Sequence, residues 1–202
     1  AASDYVPLPY GQLTLDSVDQ QQRNVFMGWA PTRNRLITGG RLRPLAGGSR
    51  LTGSYQKYRY TIQQLQNAPN PMMTAEPNQF RTDLELPKSV TKRTRQLAQQ
   101  ITRNAATYYD QVTAIRDYLR DGVQFIYSKV DTPRTPKGRD YVDYFLFSSK
   151  TGYCDNFSSA MIVLLRSVGI PARWAKGFNG GNQVGQASGG RYTYQILNSA
   201  AH

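Results

Sequence analysis

The segment that most constrains this chain runs from Cys154 to Arg173, CDNFSSAMIVLLRSVGIPAR. Phe157, Ala160, Met161, Leu164, Leu165 and Val168 recur at helical spacing and form one apolar stripe. A helix with such a stripe has to bury it, so the rest of the chain must supply an apolar partner surface. Gly169 suits the residue that closes a helix, and Pro171 blocks its continuation. Cys154, the only cysteine in 202 residues, falls in the first turn, about one turn ahead of Phe157. A thiol there meets the positive end of the helix macrodipole and N–H groups with no intrahelical partner. Both favour the thiolate, the nucleophilic form. The same N–H groups could stabilise an oxyanion on an attacked carbonyl. Gly152 is expected to let the backbone turn tightly into the helix. Position alone leaves nucleophile and inert core thiol both open.

Composition removes several other classes. One cysteine excludes an intrachain disulfide and a cysteine-based metal cluster, and one histidine, His202, excludes a His-rich site. No metal and no cofactor is expected. The longest apolar run, Ala160–Leu165, is far shorter than the roughly 18–20 residues of a spanning helix. The net charge is +12, and no Asp or Glu lies between Asp19 and Glu76 while eight Arg or Lys do. That excess favours anionic partners such as nucleic acid, acidic headgroups or an anionic envelope polymer. No nucleic-acid motif accompanies it, and basic residues interleaved with tyrosine in SYQKYRY read equally as a strand face, so no nucleic-acid partner is expected.

The chain divides by pattern. Residues 1–80 read as a β-rich region. QLTL, NVFMGW and RLITGG are short strand-like runs punctuated by glycine, and Tyr58, Tyr60 and Ile62 share a face at period two. NAPNPMMTAEPNQFR, residues 67–81, is a linker-like stretch that sets the boundary, and residues 81–202 form the second region. Within it, Ser89 is the expected cap of a helix reaching about Tyr109, with Val90, Leu97, Ile101 and Ala105 on one side. A second helix carries Val112, Ile115 and Leu119 and ends at Gly122. VQFIYS reads as a short extended piece, YVDYFLFS as a short turn or helix, and ARWAKGF and RYTYQIL as strands. The glycine-rich NGGNQVGQASGGR between them reads as a loop on the rim of a cleft. Asp140 and Asp143 read as cap or salt-bridge residues and Asp155 as a helix N-terminal anion. Arg166 and Arg173 are expected to tie the turn after the cysteine helix to the core.

GYCDNFSSAMIVLLRSVGIPARWAKGF resembles the signature of the transglutaminase-like superfamily: a Gly-x-Cys turn opens a helix, and Arg166, Gly169, Ile170, Pro171, Ala172 and Arg173 fill the phrase that closes it. LRDGVQFIYS, GRDYVDYFLFSSKTGYC and LELPKSV upstream resemble bacterial membrane-anchored members, and the likeness covers about residues 84–202. It implies an α+β, papain-like fold, with the nucleophile's helix packed on an antiparallel sheet that carries the histidine. It also implies a Cys-His-Asp triad in that chain order, with Cys154 as nucleophile and His202, in NSAAH, as base. Tyr127 becomes the oxyanion candidate beside the Cys154 amide. The triad Asp is expected outside this chain, which reads as a piece of a longer, membrane-anchored, extracytoplasmic protein. The implied activity is cysteine-dependent acyl transfer on amide bonds of a protein or peptide substrate, by hydrolysis or by cross-linking. The alternative is an inactive module on the same fold that binds an anionic cell-wall polymer.

Overall fold

The computed structural model describes residues 12–18, 27–30, 35–38, 51–56, 58–73, 75–76, 78–175, 182–187 and 191–195. They fall into two compact units, one with the strands before residue 60 and after residue 176, the other with residues 60–176. In the first unit, β1 (Gln12–Val18) pairs antiparallel with β4 (Leu51–Gln56), with a register shift between Leu15 and Ser17. β2 (Met27–Ala30) pairs antiparallel with β3 (Arg35–Thr38).

The second unit opens where a strand continuation was expected. Tyr58 and Tyr60 lie in irregular chain, and Ile62 starts a short helix, α1 (Ile62–Gln66). The reason is a capping box: the Thr61 hydroxyl accepts the Gln64 N–H while Gln64 Oε1 accepts the Thr61 N–H. That local signal overrides the period-two pattern, and Tyr58, Tyr60 and Ile62 stay exposed. The Pro- and Asn-rich stretch, with one 3-10 turn at Pro71–Met73, leads to α2 (Arg81–Leu84).

The long helix expected from Ser89 to Tyr109 is two helices. α3 (Lys92–Thr102) is capped by Thr91, whose hydroxyl accepts the Thr94 N–H. The Ser89 hydroxyl is engaged elsewhere, donating to Asp140. α4 (Tyr108–Arg120) starts afresh at a Thr107–Asp110 capping box. Thr94 and Thr102 are buried on α3 beside Ala98, which an apolar pattern does not reveal. Their hydroxyls bond locally, Thr102 to the Ala98 carbonyl and Thr94 to Thr91. β5 (Ile126–Tyr127) follows, then α5 (Tyr141–Tyr144), which runs directly into a π-helical turn at Phe145–Ser149. β6 (Thr151–Gly152) pairs parallel with β5 and delivers the chain to α6 (Cys154–Ser167).

α6 is the helix its stripe predicts. Ala160, Leu164 and Leu165 are buried, and Phe157, Met161 and Val168 pack against the same core. The partner surface comes from Ala98 of α3, Ile115 and Leu119 of α4, Phe125, and Val142, Phe145 and Leu146 around α5. Phe125, Phe145 and Phe157 form an aromatic cluster with ring centroids 5.0–6.2 Å apart. The helix ends as a Schellman motif: Gly169 has φ +78°, its N–H donates to the Arg166 carbonyl, and the Ile170 N–H reaches the Leu165 carbonyl. Arg166 then donates to the carbonyls of Ala172 and Glu85, and Arg173 pairs with Asp83 at 2.8 Å, so both arginines clamp the turn as expected.

Back in the first unit, β7 (Asn182–Ala187) pairs antiparallel with β8 (Arg191–Gln195). The glycine-rich loop is therefore half strand, and a register shift between Gln183 and Gly185 absorbs its glycine. By contrast, residues 172–175 of the expected strand ARWAKGF are irregular, and its last three residues lie outside the described ones.

Asp143 is the polar hub of the helical unit. It is buried, yet it receives Arg93 Nε at 2.6 Å, the Thr91 hydroxyl at 2.7 Å and Arg139 Nη2 at 3.5 Å. Asp140 caps α5 by accepting the Asp143 N–H at 2.9 Å. The Arg93 hydrogen bond, with help from Thr91 and Arg139, holds the Asp143 carboxyl down at about 2, below its ordinary 3.8. Between those values the unfolded chain binds more protons than the folded one, so stability rises with pH there. This contribution is complete above about pH 4 and is lost as pH falls through about 2. Asp143→Asn is expected to cost about 2 kcal/mol at pH 7 and almost nothing near pH 2, as measured by chemical denaturation at both.

Candidate active site

The nucleophile's turn is built by main-chain geometry. In the parallel β5–β6 pair, Tyr127 stands opposite Gly152, with the Ser128 N–H donating to the Gly152 carbonyl at 2.9 Å. Gly152 is buried and does not have a left-handed φ, so it is not the tight-turn glycine of the sequence reading. Its lack of a side chain serves a close approach instead. A Cβ there would stand 2.6 Å from Cβ and Cγ of Asn156. Asn156 is itself buried and turns back to accept the Tyr153 N–H at 3.1 Å. This contact seats the start of α6 against β6.

Cys154 is the first residue of α6, a free and half-buried thiol. The amides of Asn156 and Phe157 both donate to the Tyr153 carbonyl. Those of Cys154 and Asp155 remain at the helix mouth, without partners among the described residues. The Asp155 carboxylate stands 3.8 Å from the Cys154 sulfur and can accept its proton. Behind the thiol, the Ser158 hydroxyl donates to the Cys154 carbonyl at 2.6 Å, and the Trp174 indole N–H donates to Ser158 at 2.9 Å.

Two aromatic side chains approach this turn. The Tyr127 ring packs on Phe157 at 5.9 Å and is half exposed. Tyr141, at the start of α5, is also partly exposed, and its phenol is pushed up to about 12 by burial and by the negative charges of Tyr153, Asp155 and Cys154. It is therefore a neutral donor at working pH. His202 lies outside the described residues. The structure thus brings Tyr127's strand to the turn that carries Cys154, and it adds Asn156, Ser158, Tyr141 and Trp174, which the sequence reading did not single out. Asn156 had a weak signal as a polar residue three after the N-cap. Tyr141 and Trp174 had none, because nothing in a linear pattern says which face of a short helix or irregular strand looks at the thiol. Among the described residues no three His, Cys, Asp or Glu side chains converge as metal ligands would.

A free thiol that opens a helix, with the leading amides of that helix beside it, is an arrangement that can serve a cysteine nucleophile. Residues 95–202 match the transglutaminase-like superfamily, and the chain belongs to that family. It is 44% identical over 119 residues to the protein YebA of Bacillus subtilis (strain 168), across 59% of this chain. It is 35% identical over 99 residues to a protein-glutamine gamma-glutamyltransferase of Pseudomonas aeruginosa, across 49% of this chain. The chain spans only 16% and 14% of the lengths of those two proteins. The crystal structure of the periplasmic domain of TgpA from Pseudomonas aeruginosa superposes with a TM-score of 0.52 and 29% identity, over 64% of this chain and 42% of that one. The same domain bound to ethylmercury superposes over 100% of this chain and 62% of that one, with a TM-score of 0.64 and 24% identity, a likeness of fold. Among the described residues no helix is long and apolar enough to cross a membrane.

Gly152→Ala tests how the site is seated. The new methyl collides with the root of the Asn156 side chain, which cannot move without moving α6, so the variant is expected to lose about 1–3 kcal/mol in denaturant unfolding. An unchanged midpoint would mean that the start of α6 is free to shift.

Proposed function

We propose that this chain carries the nucleophile of a cysteine acyl-transfer domain that acts on amide bonds through a thioester. The observation that supports it most is the placement of Cys154: a half-buried thiol as the first residue of a helix, beside that helix's leading amides. In this reading the Cys154 thiolate adds to the amide carbonyl carbon, and the carbonyl electron pair moves to oxygen beside the Cys154 and Asp155 N–H groups. Tyr127 is a second donor to that oxyanion. Collapse of the adduct breaks the C–N bond. The departing nitrogen takes the proton that His202 removed from the thiol, leaving the acyl group on sulfur. Water or a primary amine then attacks the thioester, releasing a carboxylic acid or a new amide and restoring the thiol. The kinship with a gamma-glutamyltransferase supports a glutamine side chain as acyl donor, and the likeness to periplasmic domains supports a place outside the cytoplasm on a membrane-anchored protein.

The test uses the full-length protein with a glutamine-containing peptide and dansylcadaverine. A fluorescent peptide–amine adduct identifies transfer, and ammonia with the free acid identifies hydrolysis. Either is expected to fall at least 10³-fold in Cys154→Ala. A folded protein that forms neither product, and no acyl adduct on Cys154 by intact mass, would sink the reading. The net charge of +12 supports a second one, a non-catalytic module holding an anionic envelope polymer. That reading expects salt-sensitive polymer binding that survives Cys154→Ala.

A further inference from the structure

The outer face of α3 carries charge that the protein leaves unneutralised. Between Glu85 and Asp110 there is no Asp or Glu, while five Lys or Arg fall in that stretch. One of them, Arg93, turns to the buried Asp143 and lies over the Phe147 ring, 4.4 Å from its centroid. Lys92, Gln96, Gln99 and Arg103 recur at i, i+4, i+7 and i+11 with Arg95 beside them, and all five are exposed. Thr94, Leu97, Ala98 and Ile101, on the opposite side of the helix, face the interior. The exposed stripe is about 16 Å long at the rise of an α-helix.

Among the described residues no carboxylate comes within ion-pair distance of Lys92, Arg95 or Arg103. Other helices are neutralised. α2, α4, α5 and α6 each carry an acid in the first turn, and Arg116 of α4 has Asp117 at 2.7 Å. α3 has no acid in its first turn and instead sets Lys92, Arg93 and Arg95 near the positive end of its macrodipole. That placement works against the helix, and only Arg93 gains a carboxylate in return. A local rule broken without internal compensation marks a surface shaped by something other than folding.

The chemistry of the stripe narrows its partner. It has no aromatic side chain on which a base could stack, which disfavours a nucleic acid. It has no apolar side chain to enter a bilayer, which disfavours a membrane surface. What it offers is a row of cations for charged oxygens, with glutamine amides between them for hydroxyls. We propose that the outer face of α3 docks a linear polyol-phosphate polymer, with the phosphates on Lys92, Arg95 and Arg103 and the hydroxyls on Gln96 and Gln99. The proposal rests on the anionic-polymer reading, to which it gives a surface and a polymer class, and it does not depend on Cys154.

The experiment measures binding of poly(glycerol phosphate) to the full-length protein by calorimetry, beside oligo(dT) and vesicles of phosphatidylcholine with phosphatidylglycerol. The triple variant Lys92→Gln, Arg95→Gln, Arg103→Gln is expected to weaken polymer binding on the order of a hundredfold, roughly fivefold for each cation. It is also expected to make log Kd less steep in log salt by about 2. A second triple variant, Arg59→Gln, Lys129→Gln, Arg134→Gln, removes the same charge from exposed positions outside the helix. It is expected to change binding by less than about threefold, because salt screens charges away from the contact. Lys92→Gln and Arg103→Gln alone, at opposite ends of the stripe, are each expected to lose about fivefold and carry the test if the first triple variant unfolds.

A loss confined to the α3 variants, with the polymer held more tightly than oligo(dT) or the vesicles, supports the proposal. Equal losses in the two triple variants overturn it while leaving the anionic-polymer reading standing, because net charge alone then binds the polymer. No polymer binding by the wild type sinks both. Tighter binding of oligo(dT) or of the vesicles overturns the proposal by making the partner a nucleic acid or a membrane. Cys154→Ala is expected to hold the polymer as the wild type does. A large loss there would move the binding to the thiol's end of α6 and overturn the assignment to α3.

Discussion

The burial of one helix face sets everything else in residues 60–176. α6 can hide Ala160, Leu164 and Leu165 only by presenting that face to α3, α4 and the Phe145 turn. With the rotation of the helix fixed, the rest of its circumference is fixed too, because side chains three and four residues apart share a face. Cys154 comes out half-buried at the start of the helix. Truncating a side chain such as Leu164, which is fully buried, would forfeit about 2–5 kcal/mol. That is a large part of the stability of a domain of this size. The end of the helix that carries Cys154 thus depends on a core about two to three turns away.

Polar interactions then settle what apolar packing leaves loose. Asp143 binds α5 to the start of α3 through Arg93 and Thr91, and Arg166 and Asp83 bind the chain after α6 to the segment before α3. Asp143 and Arg166 do so with a charged group that meets a buried or main-chain partner, the arrangement in which such bonds contribute most, while Asp83 uses its main-chain carbonyl to accept the Ala172 N–H. The basic excess of the chain does not contradict this. The ion pairs that hold the helical unit together draw on few of its cations.

Much of this was legible in the sequence, for reasons that differ by element. The α6 stripe, its glycine stop and the Asp140 cap follow from short-range rules, and short-range rules decided them here too. Arg166, Arg173 and Asp143 were read as tying or salt-bridge residues, but their partners Glu85, Asp83 and Arg93 are distant in sequence. Where the reading failed, a local capping signal competed with a longer pattern. Thr61 with Gln64 turned an apparent strand into a helix, and Thr107 with Asp110 split one apparent helix in two. Burial of Thr94 and Thr102 was invisible because a β-branched residue that bonds its own helix behaves as an apolar one once it is inside. The same limit applies at the site. The place of Cys154 in the first turn of a helix was legible. Tyr141 and Trp174 were not, because their nearness to it is set by tertiary contacts among residues 83–91, 138–144 and α6.

A nucleophilic thiol has conflicting needs: it must be held rigidly, and it must stay open to a substrate. The first turn of α6 fixes its backbone through residues other than the sulfur, whose one partner among the described residues is the adjacent Asp155 carboxylate. Asn156 holds the Tyr153 amide, Gly152 lets α6 approach β6 closely, and Ser158 holds the Cys154 carbonyl with Trp174 behind it. None of these contacts uses the sulfur or the leading amides. Rigidity comes from the inner side of the turn, while the outer side keeps its unpaired N–H groups. An inert core thiol would not need such an arrangement, since packing alone would hold it. The backbone of the turn is thus fixed from its inner side, while the sulfur itself meets only the neighbouring Asp155 carboxylate among the described residues.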